Sequence, residues 1–490
     1  MKSQKLNSIK NVFICDKENS LKLVNINFDK TILEIIPVLD RSVNWNDIST
    51  ISKRKRFINN LQLSLNNHVI KGINDDFLIL IPGGIDPHVH FDTPGFEFRD
   101  DFEHASSATA WGGTTTIIDM PCTSLPPVTS FKNFQMKLRA VKNRSIVDFV
   151  FWGGVRGNDF ENKSNIHKKI FRLSKAGVAG FKTYFISGMD TFTDLSFDQM
   201  LETARFIKDN NMLLAVHAED KSRIKERMKK YQSDNQNNWK AYCKSRDEIA
   251  EEKAIENLIG IASITNCRIH VVHLSSAKGL EQVRKAQELG LKITAETCPH
   301  YLYFTQQDFE NKKISEFLKT APPVKKKNDR SELWKGLYDG SLSFVTTDHA
   351  GCNPKKEKSS KNFWNIYGGI PGVEHRIPFL FSEGFLKGKL SLQKTIELLS
   401  TNAAEFFKLN QKGKLEVGKD ADFALINLWT SEIIRSRNMH SKGKYTPFEG
   451  IQFHARVEKT FLRGKPIIDR KKNFIAKPGI GKFIRVNHEE

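Results

Sequence analysis

Six side chains that can bind or react at a metal centre stand at the ends of short apolar segments. His88 and His90 are two positions apart, and side chains repeat every two residues along a strand, so both imidazoles face the same side. The other four are Lys182, His217, His273 and Asp348. A single histidine in an apolar strand is usually a core residue. Several imidazoles at such positions, together with a carboxylate, instead predict a site for a first-row metal, zinc above all.

Lys182 lies inside the apolar segment GVAGFKTYFISG, where an unpaired ammonium group is costly to bury. One interpretation is a lysine whose ammonium group reaches solvent or pairs with an acid. The other is that its neutral amine has taken up carbon dioxide to form a carbamate, an anion whose two oxygens can bridge two cations. We expect the second: two divalent metal ions, most simply Zn²⁺, and N6-carboxylation of Lys182.

Two such ions would activate a water molecule and polarise a carbonyl group. Asp348, as a ligand next to that water, could also act as the general acid–base that carries a proton to the leaving nitrogen. The residue types therefore predict hydrolysis of an amide bond, with Asp348 as the catalytic residue.

The segments that carry these residues belong to a repeated pattern. From about residue 82 to 350 the chain repeats a short apolar run, a polar or glycine-rich loop and a helical stretch, and continuous apolar runs are typical of strands buried on both faces. The eight runs are 83–91, 113–121, 147–154, 178–185, 212–219, 267–275, 292–300 and 342–350. They predict an α/β fold, a (β/α)₈ TIM-type barrel whose strand carboxyl ends form one rim. A doubly wound sheet is the alternative, but the first run is not followed by a glycine-rich phosphate-binding sequence.

The two ends of the chain have a different pattern, in which short segments alternate apolar and polar residues. We expect a small β-sandwich domain built from both ends, with residues 1–81 and 411–490 on either side of a barrel at 82–410. Residues 40–66 fit this pattern poorly and are interpreted as an insertion.

Composition limits the class of protein. The 490 residues carry a formal charge of +20, but the lysines are spread along the chain without the spacing of a nucleic-acid-binding motif, so we expect no nucleic acid partner. The six cysteines form no CxxC pair, and the chain has no apolar stretch long enough to span a membrane. These features predict a soluble, cytoplasmic protein without disulfides or a membrane partner.

Several segments together resemble the cyclic amidohydrolases, the group that contains allantoinase, dihydroorotase and hydantoinase. They are PGGIDPHVHF, GGTTTIIDMP, GFKTYF, AVHAED, HVVHLSSAKG, ETCPHYLYF and TTDHA, and the match runs from about residue 80 to 470. The resemblance implies a (β/α)₈ barrel with a small β-sandwich and a binuclear centre bridged by a carboxylated lysine. Its metal ligands carry over to the six residues named above.

Other segments are most similar to allantoinases, among them FKTYFISGMDTF, KTAPPVK and YGGIPG. Dihydroorotases typically have HFREPG after the first strand, with an arginine for the substrate carboxylate, and MPNT after the second. Here Asp92 and Cys122 take the places of that arginine and asparagine. Allantoinases usually have an arginine after the Pro-Gly, where this chain has Phe96, and Arg99 either compensates or lies on the surface. Hydantoinases commonly have a tyrosine at the position of Ser187.

Asp92, Cys122 and Ser187 are therefore the expected substrate-binding residues, together with His300 in CPHYL and Gly369 in YGGIPG. The predicted function is hydrolysis of a cyclic ureide or cyclic amide, most like allantoinase. Dihydroorotase and hydantoinase or dihydropyrimidinase are the alternatives, and a catalytically silent scaffold relative is a further one. The resemblance implies a small-molecule substrate and a homo-oligomer, either a dimer or a tetramer.

Overall fold

The computed structural model describes residues 7–16, 18–39, 41–64, 78–161 and 165–488. The N-terminal part contains β1 (Asn7–Cys15), β2 (Leu21–Phe28), β3 (Ile32–Pro37), α1 (Trp45–Ile48), α2 (Ile51–Ser64) and β4 (Ile79–Pro82). The described part of the 40–66 segment is therefore mostly helical, which explains why it fits no strand pattern. Trp45 attaches this segment to the rest of the molecule, because its ring lies 5.6 Å from the ring of Trp429.

Ten strands in eight positions form the barrel. They are β5 (Gly84–His90), β6 (Thr114–Asp119), β7 (Asp148–Phe151), β8 (Gly153–Gly154), β9 (Phe181–Tyr184), β10 (Leu213–His217), β11 (Arg268–Val271), β12 (Ile293–Thr297), β13 (Phe344–Val345) and β14 (His349–Ala350). The third position is divided at Trp152, and the eighth is divided between β13 and β14. Every neighbouring pair is parallel, and β14 pairs with β5 to close the ring. The predicted (β/α)₈ barrel is confirmed.

Helices follow the strands on the outside of the barrel. Along the barrel these are α3 (Phe102–Trp111), α4 (Phe131–Val141), α5 (Gly157–Glu161), α6 (Ile166–Ala176), α7 (Phe197–Asp209), α8 (Lys221–Ser233), α9 (Trp239–Ser245), α10 (Glu248–Thr265), α11 (Ala277–Glu288), α12 (Pro299–Tyr303) and α13 (Lys327–Asp339). Near the C-terminal end follow α14 (Pro354–Glu357), α15 (Arg376–Phe379), α16 (Leu392–Ile396) and α17 (Asn402–Phe406), with π-helical turns at Leu380–Phe385 and Glu397–Thr401. Within the described ranges, no helix is both long and apolar enough to cross a membrane.

The interior of the barrel is filled by apolar side chains from alternate strand positions. Ile85, Ile118, Val150 and Ala215 are all fully or almost fully buried in one cluster. Phe407, just after α17, closes the amino end of the barrel, with its ring 5.5 Å from that of Trp152. With its lower end filled by apolar side chains, the barrel leaves the carboxyl ends of its strands as the place for an active site.

Strands from both chain ends share one eight-stranded sheet. The C-terminal strands are β15 (Phe423–Asn427), β16 (Glu432–Ile433), β17 (Gln452–Phe453), β18 (Arg456–Leu462), β19 (Lys465–Asp469) and β20 (Phe474–Ile475), and the sheet order is β20-β19-β18-β15-β4-β1-β2-β3. The rings of Phe28 on β2 and Phe461 on β18 are 5.9 Å apart although three strands separate them in the sheet. The sheet therefore curls so that its two halves face each other, as in a sandwich. The limits of the two domains at residues 82 and 411 stay a prediction.

Candidate metal centre

All six predicted ligands lie at the carboxyl end of the barrel. His88 and His90 end β5, Lys182 is in β9, and His217 ends β10. His273 follows β11 by two residues, and Asp348 directly precedes β14. His273 and Asp348 have φ angles of 41° and 47°, in the left-handed region that non-glycine residues rarely adopt. Such backbone strain is concentrated at functional sites, where the surrounding structure holds it in place.

One part of the cluster is centred on Asp348. Its Oδ1 atom lies 3.1 Å from Nε2 of His88 and 3.1 Å from Nε2 of His90. His88, His273 and Asp348 each direct one ligand atom into a region where all three atoms lie within 4.8 Å of one another. Two imidazoles and a carboxylate that converge in this way form a typical zinc ligand set.

The other part contains His217 and His273. Nδ1 of His217 lies 3.0 Å from Nε2 of His273, so two ring nitrogens point at the same place. Burial and the neighbouring His217 lower the pKa of His273 well below its ordinary value. Its imidazole is therefore neutral, which is the form that binds metal ions.

Lys182 is fully buried between these parts of the rim. Its Nζ atom lies 3.9 Å from the ring centre of Tyr184, and no carboxylate in the described part of the chain forms an ion pair with it. Burial lowers the pKa of this lysine to about 8, so its neutral amine is more accessible than that of a surface lysine. The interpretation of Lys182 as a lysine paired with an acid is therefore not supported by its contacts.

Two buried glutamates contact the ring nitrogens of His88 and His217 that face away from the cluster. Oε1 of Glu296 lies 2.5 Å from Nδ1 of His88, and Oε2 of Glu219 lies 2.7 Å from Nε2 of His217. Burial opposes ionisation of Glu219, but Arg246 and His217 outweigh it and lower its pKa to about 2. Glu219 and Glu296 therefore accept hydrogen bonds from the outer ring nitrogens and leave the inner nitrogens free to bind metal, as carboxylates behind metal-binding histidines do.

The outer nitrogen of His90 has different partners. Its Nδ1 atom lies 3.3 Å from the hydroxyl of Thr123 and 3.7 Å from Sγ of Cys122. Cys122 is fully buried, and its sulfur lies 3.0 Å from the hydroxyl of Tyr184. Of the predicted substrate-binding residues, Cys122 is thus in direct contact with a predicted ligand.

A second group of acidic residues has the spacing of a metal site, but a lysine occupies it. Asp148, Asp420 and Asp422 bring their carboxylates close together, and Nζ of Lys412 lies 2.7 Å, 2.8 Å and 2.7 Å from them. The ammonium group takes the place that a cation would need. Among the residues that the structure describes, only the cluster at the rim has converging donors without a resident counter-charge, and it fits divalent metal ions.

Asp92 is fully buried beside the cluster, with a φ angle of 52°. Neither of its carboxylate oxygens has a hydrogen-bond partner among the described residues. Burial and the neighbouring Asp100 raise its pKa well above the ordinary value. The charges of His90 and Arg99 act in the opposite direction and lower this pKa. A buried carboxyl group without a hydrogen-bond partner among the described residues therefore lies next to the predicted metal ligands.

The other predicted substrate-binding residues have varied surroundings. His300 is buried with its Nε2 atom unpartnered, and burial lowers its pKa to about 4. Ser187 lines a separate cleft of about 820 Å³, and the carbonyl of Gly369 already accepts a hydrogen bond from Lys358. Arg99 is not a free surface arginine: its Nε donates to Glu357 at 2.8 Å, and its guanidinium lies 4.4 Å from the ring centre of Tyr367.

Comparison with known proteins agrees with this architecture. The model of the amidohydrolase family matches residues 79–467. The chain belongs to the amidohydrolase family. It is 34% identical to an allantoinase of Rubrobacter xylanophilus, over 84% of this chain and 88% of that protein. An allantoinase of Bacillus licheniformis is 33% identical over 83% of this amidohydrolase and 89% of its own length.

Solved structures give the same result for the fold. An L-hydantoinase (dihydropyrimidinase) from Arthrobacter aurescens superposes on this amidohydrolase with a TM-score of 0.84 and 26% identity, covering 98% of this chain and 99% of that one. A dihydropyrimidinase from Brevibacillus agri has a TM-score of 0.84 and 25% identity, with 99% of both chains covered. The predicted resemblance to the cyclic amidohydrolases is confirmed, as is the prediction that the chain is a hydrolase of this group. The relatives named allantoinase agree with the prediction, which placed allantoinase ahead of dihydroorotase and hydantoinase.

Four residues of this amidohydrolase site were missed by the prediction from sequence. They are Thr123, Tyr184, Glu219 and Glu296. Glu219 follows His217 by two positions, and Glu296 lies within the buried strand β12, so an acid in an apolar segment was the available signal in both cases. A charged group in a buried apolar strand is costly without a partner, and this holds for Glu296 as it does for Lys182.

Proposed function

We propose that this amidohydrolase opens the ring amide of a cyclic ureide at a binuclear metal centre. The observation that carries the proposal is the convergence of ligand atoms from His88, His273 and Asp348 within 4.8 Å, beside the buried Lys182, which pairs with no carboxylate of the described residues. The family supports a metal-dependent hydrolase, and the donor set supports imidazole-binding divalent ions such as Zn²⁺.

The residues that would hold two such ions are His88, His90, Lys182, His217, His273 and Asp348. N6-carboxylation would turn Lys182 into a shared ligand and replace a buried cation by an anion. When bound, the ions supply an activated water and a polarised carbonyl group. Glu219 and Glu296 keep the histidine rings in their ligating orientation.

Asp348 moves the proton. Hydrolysis forms a bond between the oxygen of water and the carbonyl carbon, and it breaks the bond between that carbon and the ring nitrogen. Asp348 takes the proton from the attacking water and passes it to the ring nitrogen, which leaves as the N–H group of a ureide. Oδ1 of Asp348 lies 3.1 Å from Nε2 of His88 and from Nε2 of His90, so this carboxylate stands among the predicted ligand atoms.

The pocket favours an uncharged ring over one that carries a carboxylate. Asp92 stands where a substrate carboxylate would need a cation, and a carboxyl group supplies no positive charge in either protonation state. Its two oxygens, which have no hydrogen-bond partner among the described residues, instead suit N–H groups of a ureide or amide. Allantoin is therefore our first candidate substrate, with hydantoin and dihydropyrimidines as the second because the structural neighbours act on such rings. Cys122, Ser187, His300 and Gly369 are the further proposed substrate-binding residues.

The test of the reaction is a panel of ring amides assayed with the protein loaded with Zn²⁺ and bicarbonate. We expect turnover of allantoin, of hydantoin or of both, and slow or absent turnover of dihydroorotate. Preferential turnover of dihydroorotate would overturn the substrate class. Fewer than one metal ion per loaded chain and no turnover of any ring would favour the silent scaffold relative instead.

The bridging role is tested by Lys182→Ala, with Lys208→Ala as the matched control, since Lys208 is an exposed lysine on α7. Lys182→Ala should lose metal and activity and recover part of both when a short carboxylic acid is added. Lys208→Ala should keep both. Intact-mass measurement should find one carbon dioxide adduct on the native protein, and full activity of Lys182→Ala would contradict the bridge.

A further inference from the structure

Lys319 is a buried lysine in the segment between α12 and α13, and only 4% of it is exposed. Its Nζ atom lies 2.6 Å, 3.1 Å and 2.5 Å from the carbonyl oxygens of Phe363, Trp364 and Ile366. The rings of Tyr242 and Phe363 also face this atom, with their centres at 4.6 Å and 5.3 Å. Three carbonyl groups and two aromatic rings therefore surround one ammonium group.

The charged neighbours of Lys319 are cations. Burial and the nearby Lys358 and Arg246 lower the pKa of Lys319 to about 7, and no carboxylate of the described residues forms an ion pair with it. An ammonium group buried without an anion is costly unless its N–H groups are hydrogen-bonded. All three acceptors belong to one short stretch, 363–366, which begins with a 3₁₀ turn at Phe363–Asn365. The contacts that stabilise the buried charge therefore also fix this stretch of backbone.

Lys319 holds the chain on the other side of Tyr367 as well. The backbone N–H of Gly369 donates to the carbonyl oxygen of Lys319 at 3.0 Å. Between these two attachments, the N–H of Tyr367 donates to the carbonyl oxygen of Glu357 at 2.9 Å. The tyrosine ring packs so closely on Gly369 that an added Cβ there would lie 2.7 Å from a ring carbon. The backbone before and after Tyr367 is thus attached to a single residue.

Tyr367 is part of a wall beside Asp92. The guanidinium of Arg99 lies 4.4 Å from the centre of the tyrosine ring, and its Nε donates to Glu357 at 2.8 Å. Burial and the nearby Asp92 raise the pKa of the Tyr367 hydroxyl well above its ordinary value, and Arg99 in turn lowers the pKa of Asp92. The position of the tyrosine ring therefore shapes the surroundings of the carboxyl group that we assign to the substrate.

We propose that Lys319 is a positioning residue: it clamps the backbone on both sides of Tyr367 and so holds the wall of Tyr367 and Arg99 against Asp92 for substrate binding. The inference rests on the proposed ring opening. A loop that is ordered before the substrate arrives costs less free energy on binding. Lys319 is not among the predicted metal ligands and acts through Tyr367. Its loss should therefore weaken the substrate and the transition state alike, which raises KM and leaves kcat.

The clamp itself is tested by hydrogen exchange on the metal-loaded protein, a measurement that needs no turnover. Lys319→Met removes the ammonium group and keeps an unbranched side chain. Amides of 363–370 should then exchange at least about tenfold faster than in the native protein, whereas those of β5 and β10 should keep their native rates. Lys389→Met is the matched control, because the exposed Lys389 also has its ammonium group near an aromatic ring, 4.1 Å from the centre of Trp334. Native exchange of 363–370 in Lys319→Met would overturn the proposal.

Steady-state kinetics tests the consequence for the substrate, on whichever of allantoin and hydantoin is hydrolysed. Lys319→Met should raise KM about tenfold and leave kcat within about threefold of native. Its metal content and the adduct on Lys182 should be unchanged, and Lys389→Met should match the native protein in all of these. A native KM in Lys319→Met, or a loss of metal from it, would overturn the proposal.

A double variant tests whether Lys319 acts through Tyr367. Tyr367→Ala should itself raise KM, and adding Lys319→Met to it should raise KM little further, because both changes remove the same wall. Additive losses would contradict this route.

Lys319→Gln carries the same tests if Lys319→Met does not fold, because its amide still donates two hydrogen bonds. It should give a KM and an exchange rate between those of the native protein and Lys319→Met, and native values of both would overturn the proposal. If the native protein opens no ring amide, the proposed function fails, and the exchange measurement still decides whether the clamp exists.

Discussion

Oε1 of Glu296 lies 2.5 Å from Nδ1 of His88, and Oε2 of the same carboxylate lies 3.2 Å from Nε2 of His270. The backbone N–H of His273 also donates to Oε1, at 3.3 Å. Burial works against ionisation of Glu296, but the two histidine rings outweigh it and lower its pKa to about 2. One carboxylate on β12 therefore fixes groups on β5 and β11, and two of these groups belong to predicted ligands.

Glu296→Gln should weaken metal binding without unfolding the barrel. The amide keeps the size of the side chain but loses the charge that orients the His88 ring, and loss of such a carboxylate typically costs about 10- to 100-fold in metal affinity. Titration of the metal-free protein with Zn²⁺ measures the change. Glu281→Gln is the control, since Glu281 pairs with Lys285 on the exposed face of α11 at 2.9 Å. Equal affinities of the two variants would contradict the assigned role of Glu296.

Lys412→Met should destabilise the protein strongly without affecting metal binding. Its ammonium group contacts Asp148 of the barrel and the pair Asp420 and Asp422 that precedes β15, all within 2.8 Å. Removal leaves the buried Asp422 without its counter-charge and Asp148 with Arg463 alone, and loss of one partner of a buried ion pair typically costs about 3–5 kcal/mol. Urea denaturation monitored by circular dichroism gives the free energy of unfolding.

Lys414→Met is the matched control for this experiment, because Lys414 pairs with the exposed Glu405 at 2.9 Å. Exposed ion pairs contribute about 0–1 kcal/mol, so this variant should remain close to the native protein. If Lys412→Met and Lys414→Met lowered the free energy of unfolding by similar amounts, the stability of the acidic cluster would not depend on Lys412.

Glu251 should make the free energy of unfolding fall as pH rises. Burial raises the pKa of this carboxyl from 4.5 to about 7, although Ser275 and Ser276 donate hydrogen bonds to it. Between these two values the folded protein keeps a proton that the unfolded chain has lost, so the contribution is largest below pH 4.5 and is lost by about pH 7. The difference between these two pKa values corresponds to about 3 kcal/mol.

Glu251→Gln should remove this slope, because an amide does not titrate. The measurement is the free energy of unfolding in urea at several values between pH 4.5 and 7.5. Glu252→Gln is the control at the next position, where the side chain pairs with Lys278 at 3.3 Å. The assignment would be wrong if Glu251→Gln kept the native dependence on pH.

The barrel and its rim could be predicted because both depend on local patterns. Buried parallel strands are continuous apolar runs, so a polar residue within a run or at its end is visible in the sequence, as Lys182 and His217 are. Closure of the barrel between β14 and β5 follows from the number of units. The supporting partners could not be predicted in the same way, because pairs such as His88 with Glu296 join residues 208 positions apart.

No local sequence pattern indicates that the C-terminal segment also contributes to the rim. Lys442 donates from its backbone to Asp100 and from its side chain to the carbonyl of Glu97, so it holds the segment after β5. Gly443 packs so closely on Cys352 that an added Cβ would lie 2.5 Å from the carbonyl oxygen of that residue. Residues near 443 thus belong by contact to the barrel rim although the sequence pattern assigns them to the small domain.

Tyr445→Phe should loosen the loop that follows β14. The Tyr445 hydroxyl lies 3.0 Å from the carbonyl oxygen of Gly369 and 3.2 Å from that of Ala350, so it ties both ends of the loop together. A hydrogen bond of this kind contributes about 0.5–1.5 kcal/mol, and its loss should raise KM by up to roughly tenfold if the ordered loop is needed for substrate binding. Metal content should stay native, because no predicted ligand contacts Tyr445.

Tyr338→Phe, at a side chain that is 72% exposed, should change neither KM nor stability. If Tyr445→Phe lowered kcat and metal content together while KM stayed constant, the loop would act on the metal ligands rather than on the substrate.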